Sequence, residues 1–87
     1  MRLPAILDLA AARPLHDALT AQRGQQLDVD ASAVERMGGL CLQVLIAAQR
    51  AWESDGRAFA ITDASPAFES AVALMGGGEH MQARGTP

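Results

Sequence analysis

The chain has 87 residues, a mass of 9.1 kDa, 49% apolar residues and a formal net charge of −3. That is room for one small domain, and the apolar content is too high for a disordered chain. Every cation is an arginine and no basic run occurs, which argues against a nucleic-acid footprint. The apolar runs are too short to span a bilayer, and no basic start followed by an apolar block reads as a signal peptide.

Cys41 is the single cysteine. It excludes an intrachain disulfide and a thiolate cluster for zinc, and it points to a cytoplasmic location. The aromatic residues are Trp52, Phe59 and Phe68, so alanine and leucine must fill much of the core.

In chain order, Leu3 to Leu7 reads as a short strand, with Pro4 favouring an edge position. Pro14 suits the first turn of a helix whose stripe is Leu15, Ala18 and Leu19, and Gly24 ends that helix. Leu27 to Ala31 alternates apolar and acidic residues and predicts a second strand. Ser32 to Gly39 is a connection with Val34 and Met37 pointing inward. The longest helix is expected over Leu40 to Asp55, with Cys41, Val44, Leu45, Ala48 and Trp52 as its buried stripe and Gly56 as its stop. Ala58 to Ile61 reads as a strand covered on both faces. Ser65 is an N-cap and Pro66 a first helical residue, opening a helix with the stripe Phe68, Ala71, Val72 and Met75.

This strand–helix alternation predicts an α/β domain over residues 1–77: a small mixed or parallel sheet covered by helices, with a right-handed crossover between parallel strands. Residues 78–87 are expected to be a disordered tail.

Little in this pattern carries catalysis. His16 and Asp17 are helix neighbours that point apart, and no third group completes a triad. Cys41 near a helix start could be a reactive thiol, but no base lies close in sequence, and a small core residue is the simpler reading. Asp28 and Asp30 share a strand face, yet a metal site needs further oxygens, and Asp30 suits a turn. Gly38-Gly39 lacks the Lys and Ser or Thr of a phosphate loop. No catalytic residue, metal site or cofactor is therefore assigned.

Three local patterns, in this order, resemble the STAS domain, the fold of anti-sigma factor antagonists. Leu7 to Leu19, starting Leu-Asp-Leu, looks like the family's Leu-Asp segment and first helix. Asp30 to Leu45 is similar to its central signature. Gly56 to Ile61 followed by Ser65-Pro66 resembles its last strand and helix entry. The short stretch before the Leu-Asp segment looks like the compact bacterial type, which includes small chemotaxis and signal-transduction proteins and the small cytoplasmic subunit of lipid-transport ABC complexes.

The resemblance implies a non-catalytic module that docks a kinase, anti-sigma or chemotaxis protein through the start of the long helix and the preceding loop. Carried over, the contact residues are Ser32, Val34, Arg36, Gly38, Gly39, Leu40 and Gln43. Relatives carry a phosphorylated Ser or Thr there, within Asp-Ser-Ser-Gly-Leu or Asp-Thr-Ala-Gly-Leu. Here Gly39 and Leu40 replace it, so the usual phosphoswitch is not expected. The alternatives are the ABC-complex subunit, whose partner is an ATPase, then a thiol enzyme using Cys41 and a small-ligand role. Neither nucleic acid nor membrane insertion is implied.

Overall fold

The computed structural model describes residues 1–75 and 83–84. Among these, the elements run β1 (Ile6–Leu7), α1 (Leu9–Ala21), β2 (Leu27–Asp30), β3 (Arg36–Met37), α2 (Gly39–Ser54), β4 (Phe59–Thr62), α3 (Pro66–Leu74) and β5 (Ala83–Arg84). Every strand pairing is parallel: β1 with β3, β2 with β4, and β4 with β5. The expected α/β class and the parallel pairing across the long helix are both present.

The N-terminal segment takes an edge position, as Pro4 suggested, but it is not one continuous strand. The Leu3 N–H donates to the Asp30 carbonyl at 2.9 Å, and the Asp30 N–H to the Met1 carbonyl at 2.7 Å. Two residues later the chain has changed partner: Glu35 and Arg36 both donate to the Ala5 carbonyl, at 2.8 and 3.1 Å. Pro4 sits where the chain leaves β2 for β3, a place where a missing N–H costs no ladder bond.

Helix α1 begins five residues before Pro14. The Asp8 carboxylate accepts from the Ala11 N–H at 3.2 Å and caps the helix, and Ala10–Ala12 are strong helix formers. Pro14 therefore lies inside α1 rather than in its first turn.

The connection from Ser32 to Gly39 contains β3, a two-residue strand that periodicity is too short to reveal. Helix α2 ends as expected. Gly56 has φ +69°, its N–H donates to the Glu53 carbonyl, and the Arg57 N–H reaches the Trp52 carbonyl, both at 3.0 Å. These two bonds form a Schellman motif, which needs a left-handed residue where Gly56 stands.

The core is continuous and mostly aliphatic, with Trp52 and Phe68 as its largest side chains. It joins Leu3 and Leu7 to Leu15 and Leu19 of α1, Val29 of β2, Leu45 and Trp52 of α2, Ile61 of β4, and Phe68 and Val72 of α3. Leu42, expected on the flank of α2, is buried with this group, whereas Val44 is only partly buried. The expected tail, 78–87, lies outside the described residues except for Ala83–Arg84, which pair with Ile61 and Thr62 of β4.

Candidate functional site

Parallel strands deliver their following loops to one pole of the sheet. Asp8 after β1, Ala31–Glu35 after β2, Gly38 after β3 and Asp63–Ser65 after β4 are therefore gathered there. The site suggested by the sequence sits at this pole.

Gly38 is the N-cap of α2 and makes no side-chain cap bond. Its own N–H donates to the Leu7 carbonyl at 2.9 Å, which fixes the start of α2 beside the start of α1. The first turn is fastened again by the Cys41 thiol, which donates to the Asp8 carbonyl at 3.3 Å. Neither glycine is forced by crowding or by its backbone angles. A Cβ on Gly38 would lie 3.7 Å from the Leu7 carbonyl oxygen, and one on Gly39 3.6 Å from the Met75 sulfur, both ordinary contacts. The pair instead leaves a stretch of exposed backbone at the helix entry.

Leu40 projects from this turn with half of its surface exposed. It does not fold into the core, which Cys41 and Leu42 enter instead. Arg36 and Gln43 are exposed, and so is Ser32, whose N–H donates to the Asp30 carboxylate at 2.8 Å. Hydrogen bonds from the Ser32 side chain and N–H hold the Asp30 carboxyl below the usual carboxylate range. Val34 differs from the other six. It is 2% exposed and packs in the core, so it supports the loop from beneath.

Two apolar residues extend this surface beyond the sequence reading. Met75 lies against Gly39 and Leu74 precedes it at the end of α3, both exposed. Met75 reads as part of the buried stripe because its spacing from Val72 and Ala71 is helical. The helix ends at Leu74, and the residue beyond it turns outward. No local pattern marks that change.

Cys41 shows little sign of a reactive centre. It is 1% exposed, and burial first, then the nearby Asp8 charge, push its thiol pKa up, away from the thiolate that nucleophilic chemistry needs. His16 is exposed and approaches Asp17 at 3.6 Å, while His80 lies outside the described residues. Among the described residues no group of three or more His, Cys, Asp or Glu could hold a metal. A groove of about 220 Å³ opens between α1 and α2, lined in part by His16, Thr20, Arg23 and Ala51. Its guanidinium is already committed, since Arg23 binds Asp55 through Nε at 2.8 Å and Nη2 at 3.0 Å.

The family model described as Mlab, STAS domain matches residues 1–82. The chain belongs to the STAS family. No curated protein matches it. STAS domains are generally non-catalytic and mediate protein–protein interactions, which suits a pole offering backbone and apolar surface in place of a catalytic group. In this STAS domain the first turn of the long helix reads Gly38-Gly39-Leu40-Cys41-Leu42, with no hydroxyl in it. No helix among the described residues is long and apolar enough to cross a membrane.

Proposed function

We propose that this STAS domain is a regulatory docking module of the anti-sigma factor antagonist type. Its contact surface is the 32–38 loop with the first turn of α2, and it works without the family's phosphoswitch. The observation that carries this reading is the half-exposed Leu40 beside the uncapped Gly38-Gly39 entry. An apolar anchor surrounded by accessible backbone and rimmed by Arg36 and Gln43 has the composition of a small protein interface. The partner is a cytoplasmic bacterial signalling protein: a kinase, an anti-sigma factor or a chemotaxis protein.

A second reading makes the chain the small subunit of a lipid-transport ABC complex, with the ATPase as partner. It is favoured by the exposed Met75, whose sulfur lies against Gly39, the residue before the exposed Leu40. A fixed apolar face suits permanent assembly better than reversible, phosphate-controlled release.

The test is affinity capture of the tagged protein from cytosolic and membrane fractions, run in parallel with Leu40→Asp. A kinase, anti-sigma or chemotaxis protein captured by wild type and lost in the variant supports the first reading. An ABC ATPase with the same behaviour supports the second. A partner captured equally by both proteins places the contact elsewhere.

A further inference from the structure

The loop that carries Ser32 to Arg36 has no helix or long strand of its own to hold it. Its hydrogen bonds show what does. The Ala31 N–H donates to the Thr62 carbonyl at 2.9 Å, and the Ser65 N–H to the Ala31 carbonyl at 3.1 Å. The Ser65 hydroxyl donates to the Val34 carbonyl at 2.6 Å, while its oxygen accepts from the Phe68 N–H at 3.0 Å. Ser65 thus joins the loop at two points and caps α3 with the same oxygen. A capping serine needs only the acceptor function. The donor bond to Val34, across 31 positions in sequence, is additional to the cap.

The approach to Ser65 is unusual as well. Asp63 has φ +51°, and among the described residues it is the one non-glycine residue with positive φ. This left-handed conformation is uncommon outside glycine, although Asp tolerates it better than most. It turns the chain out of β4 so that Ser65 reaches back to Ala31 and Val34. From there α3 runs to Met75, whose sulfur lies beside Gly39. One short helix therefore touches the candidate surface at both ends, the loop through Ser65 and the α2 entry through Met75.

We propose that Ser65 is a positioning residue for docking: its N–H and hydroxyl hold Ala31–Val34, and thereby Ser32 and Arg36, in the shape that the partner meets. This rests on the docking reading above and adds a residue that does not itself need to touch the partner. Ser65→Asp and Ser65→Thr separate its two roles. Aspartate is as good an N-cap as serine, but when ionised it has no proton to donate and sets a charge beside the Val34 carbonyl. Threonine keeps both donor and acceptor.

The experiment measures amide hydrogen exchange along the whole chain, together with capture of the partner recovered above, for wild type, Ser65→Asp, Ser65→Thr and Leu40→Asp. Ser65→Asp is expected to keep the protection of the α3 amides and to lower that of Val34, Glu35 and Arg36 about tenfold, as for one net hydrogen bond lost. Its partner capture falls by a similar factor, and Ser65→Thr restores both. Unchanged loop protection in Ser65→Asp overturns the proposal. So does a loosened loop with undiminished capture, provided Leu40→Asp abolishes capture; the docking reading then stands. If Leu40→Asp also leaves capture intact, the docking reading fails with it. Should Ser65→Asp lose protection throughout the chain, Ser65→Gly, which has no donor and weakens the cap far less than alanine would, is measured in its place with a compensating Pro14→Ala, and the same comparison between loop and α3 decides.

Discussion

The Cys41 thiol donates to the Asp8 carbonyl at 3.3 Å, tying the first turn of α2 to the residue that caps α1. The contact is buried on the side of Cys41, which is 1% exposed. Alkylation needs thiolate and access, and burial opposes both. Iodoacetamide at pH 8 is therefore expected to modify Cys41 in the native protein far more slowly than in the urea-unfolded chain. Mass spectrometry of the two time courses checks this. Comparable rates in both states would return Cys41 to the list of reactive thiols. Cys41→Ser, which places a more polar group in the same pocket, should cost about 1–2 kcal/mol.

Asp55 and Asp30 each contribute to an acid dependence of stability. The Asp55 pKa is lowered chiefly by the hydrogen bond from Arg23, and the Asp30 pKa chiefly by the hydrogen bonds from Ser32. A carboxylate with a depressed folded-state pKa contributes stability that is present above its unfolded value of about 3.9. That contribution is lost as pH falls through the lower folded value. Stability should therefore be level from neutral pH down to about pH 5 and then fall below about pH 4. Asp55→Asn should lower the urea midpoint at pH 7 and leave it closer to wild type at pH 3. Added salt should narrow the gap at pH 7, because the pair is partly exposed and screened. Urea titrations at the two pH values, with and without salt, measure all three effects.

Trp52 is expected to be the most costly single side chain to alter conservatively. It is 1% exposed, packs its ring 5.4 Å from that of Phe59, and donates from Nε1 to the Gln25 carbonyl at 2.8 Å. Arg23 lies over the indole at 5.7 Å. Trp52→Phe removes the donor, leaves the Gln25 carbonyl without it and opens a gap, for a loss of about 2–3 kcal/mol. The variant should also lose the intrinsic tryptophan signal, so its stability is read by circular dichroism during urea unfolding. A loss below about 0.5 kcal/mol would mean that the region repacks freely.

How much of this was legible in the residues depended on the length of each signal. The α2 stripe spans about three turns, and Cys41, Leu45, Ala48 and Trp52 are inward with Gly56 as the stop, as read, while Leu42 takes the buried place expected of Val44. Ser65 and Pro66 define a helix start by chemistry that is local to two residues, and they too fall where expected. The strand Arg36–Met37 has no period to detect at two residues; it exists because Ala5 and Leu7 offer carbonyls to the loop. Pro14 misled for a related reason. Its preference for a first turn is real, but the cap from Asp8 and the alanine run outweigh it. At the candidate site, the glycine pair and Leu40 were visible as residues, whereas the burial of Val34 and the outward turn of Met75 follow from tertiary packing and have no local signature.

His16 gives a control on the reading of α1. It is exposed, and its approach to Asp17 is long at 3.6 Å. His16→Ala is expected to change stability by less than about 0.5 kcal/mol and to leave partner capture as in wild type, since the proposed contact is made by α2 and the 32–38 loop. A variant that folds normally but fails to capture the partner would move the docking surface to the α1 side of the groove.

Pro14 offers the opposite outcome, a gain. It lies inside α1, exposed, six residues into the helix. A proline there provides no N–H for the carbonyl four residues earlier, that of Ala10, and its ring crowds that carbonyl. Alanine restores the bond and carries a helix propensity about 3 kcal/mol more favourable than proline in a regular interior. Part of the gain is offset because proline also restricts the unfolded chain, an effect of about 0.4–1 kcal/mol. The ring lies near the start of the helix and faces solvent, so relief of crowding there is incomplete. Pro14→Ala should therefore stabilise the domain by about 1–2 kcal/mol, and more strongly protect the amides of α1 against exchange. A destabilised variant would show that the helix is bent at Pro14 in a way the packing of Leu15 and Leu19 against the core requires.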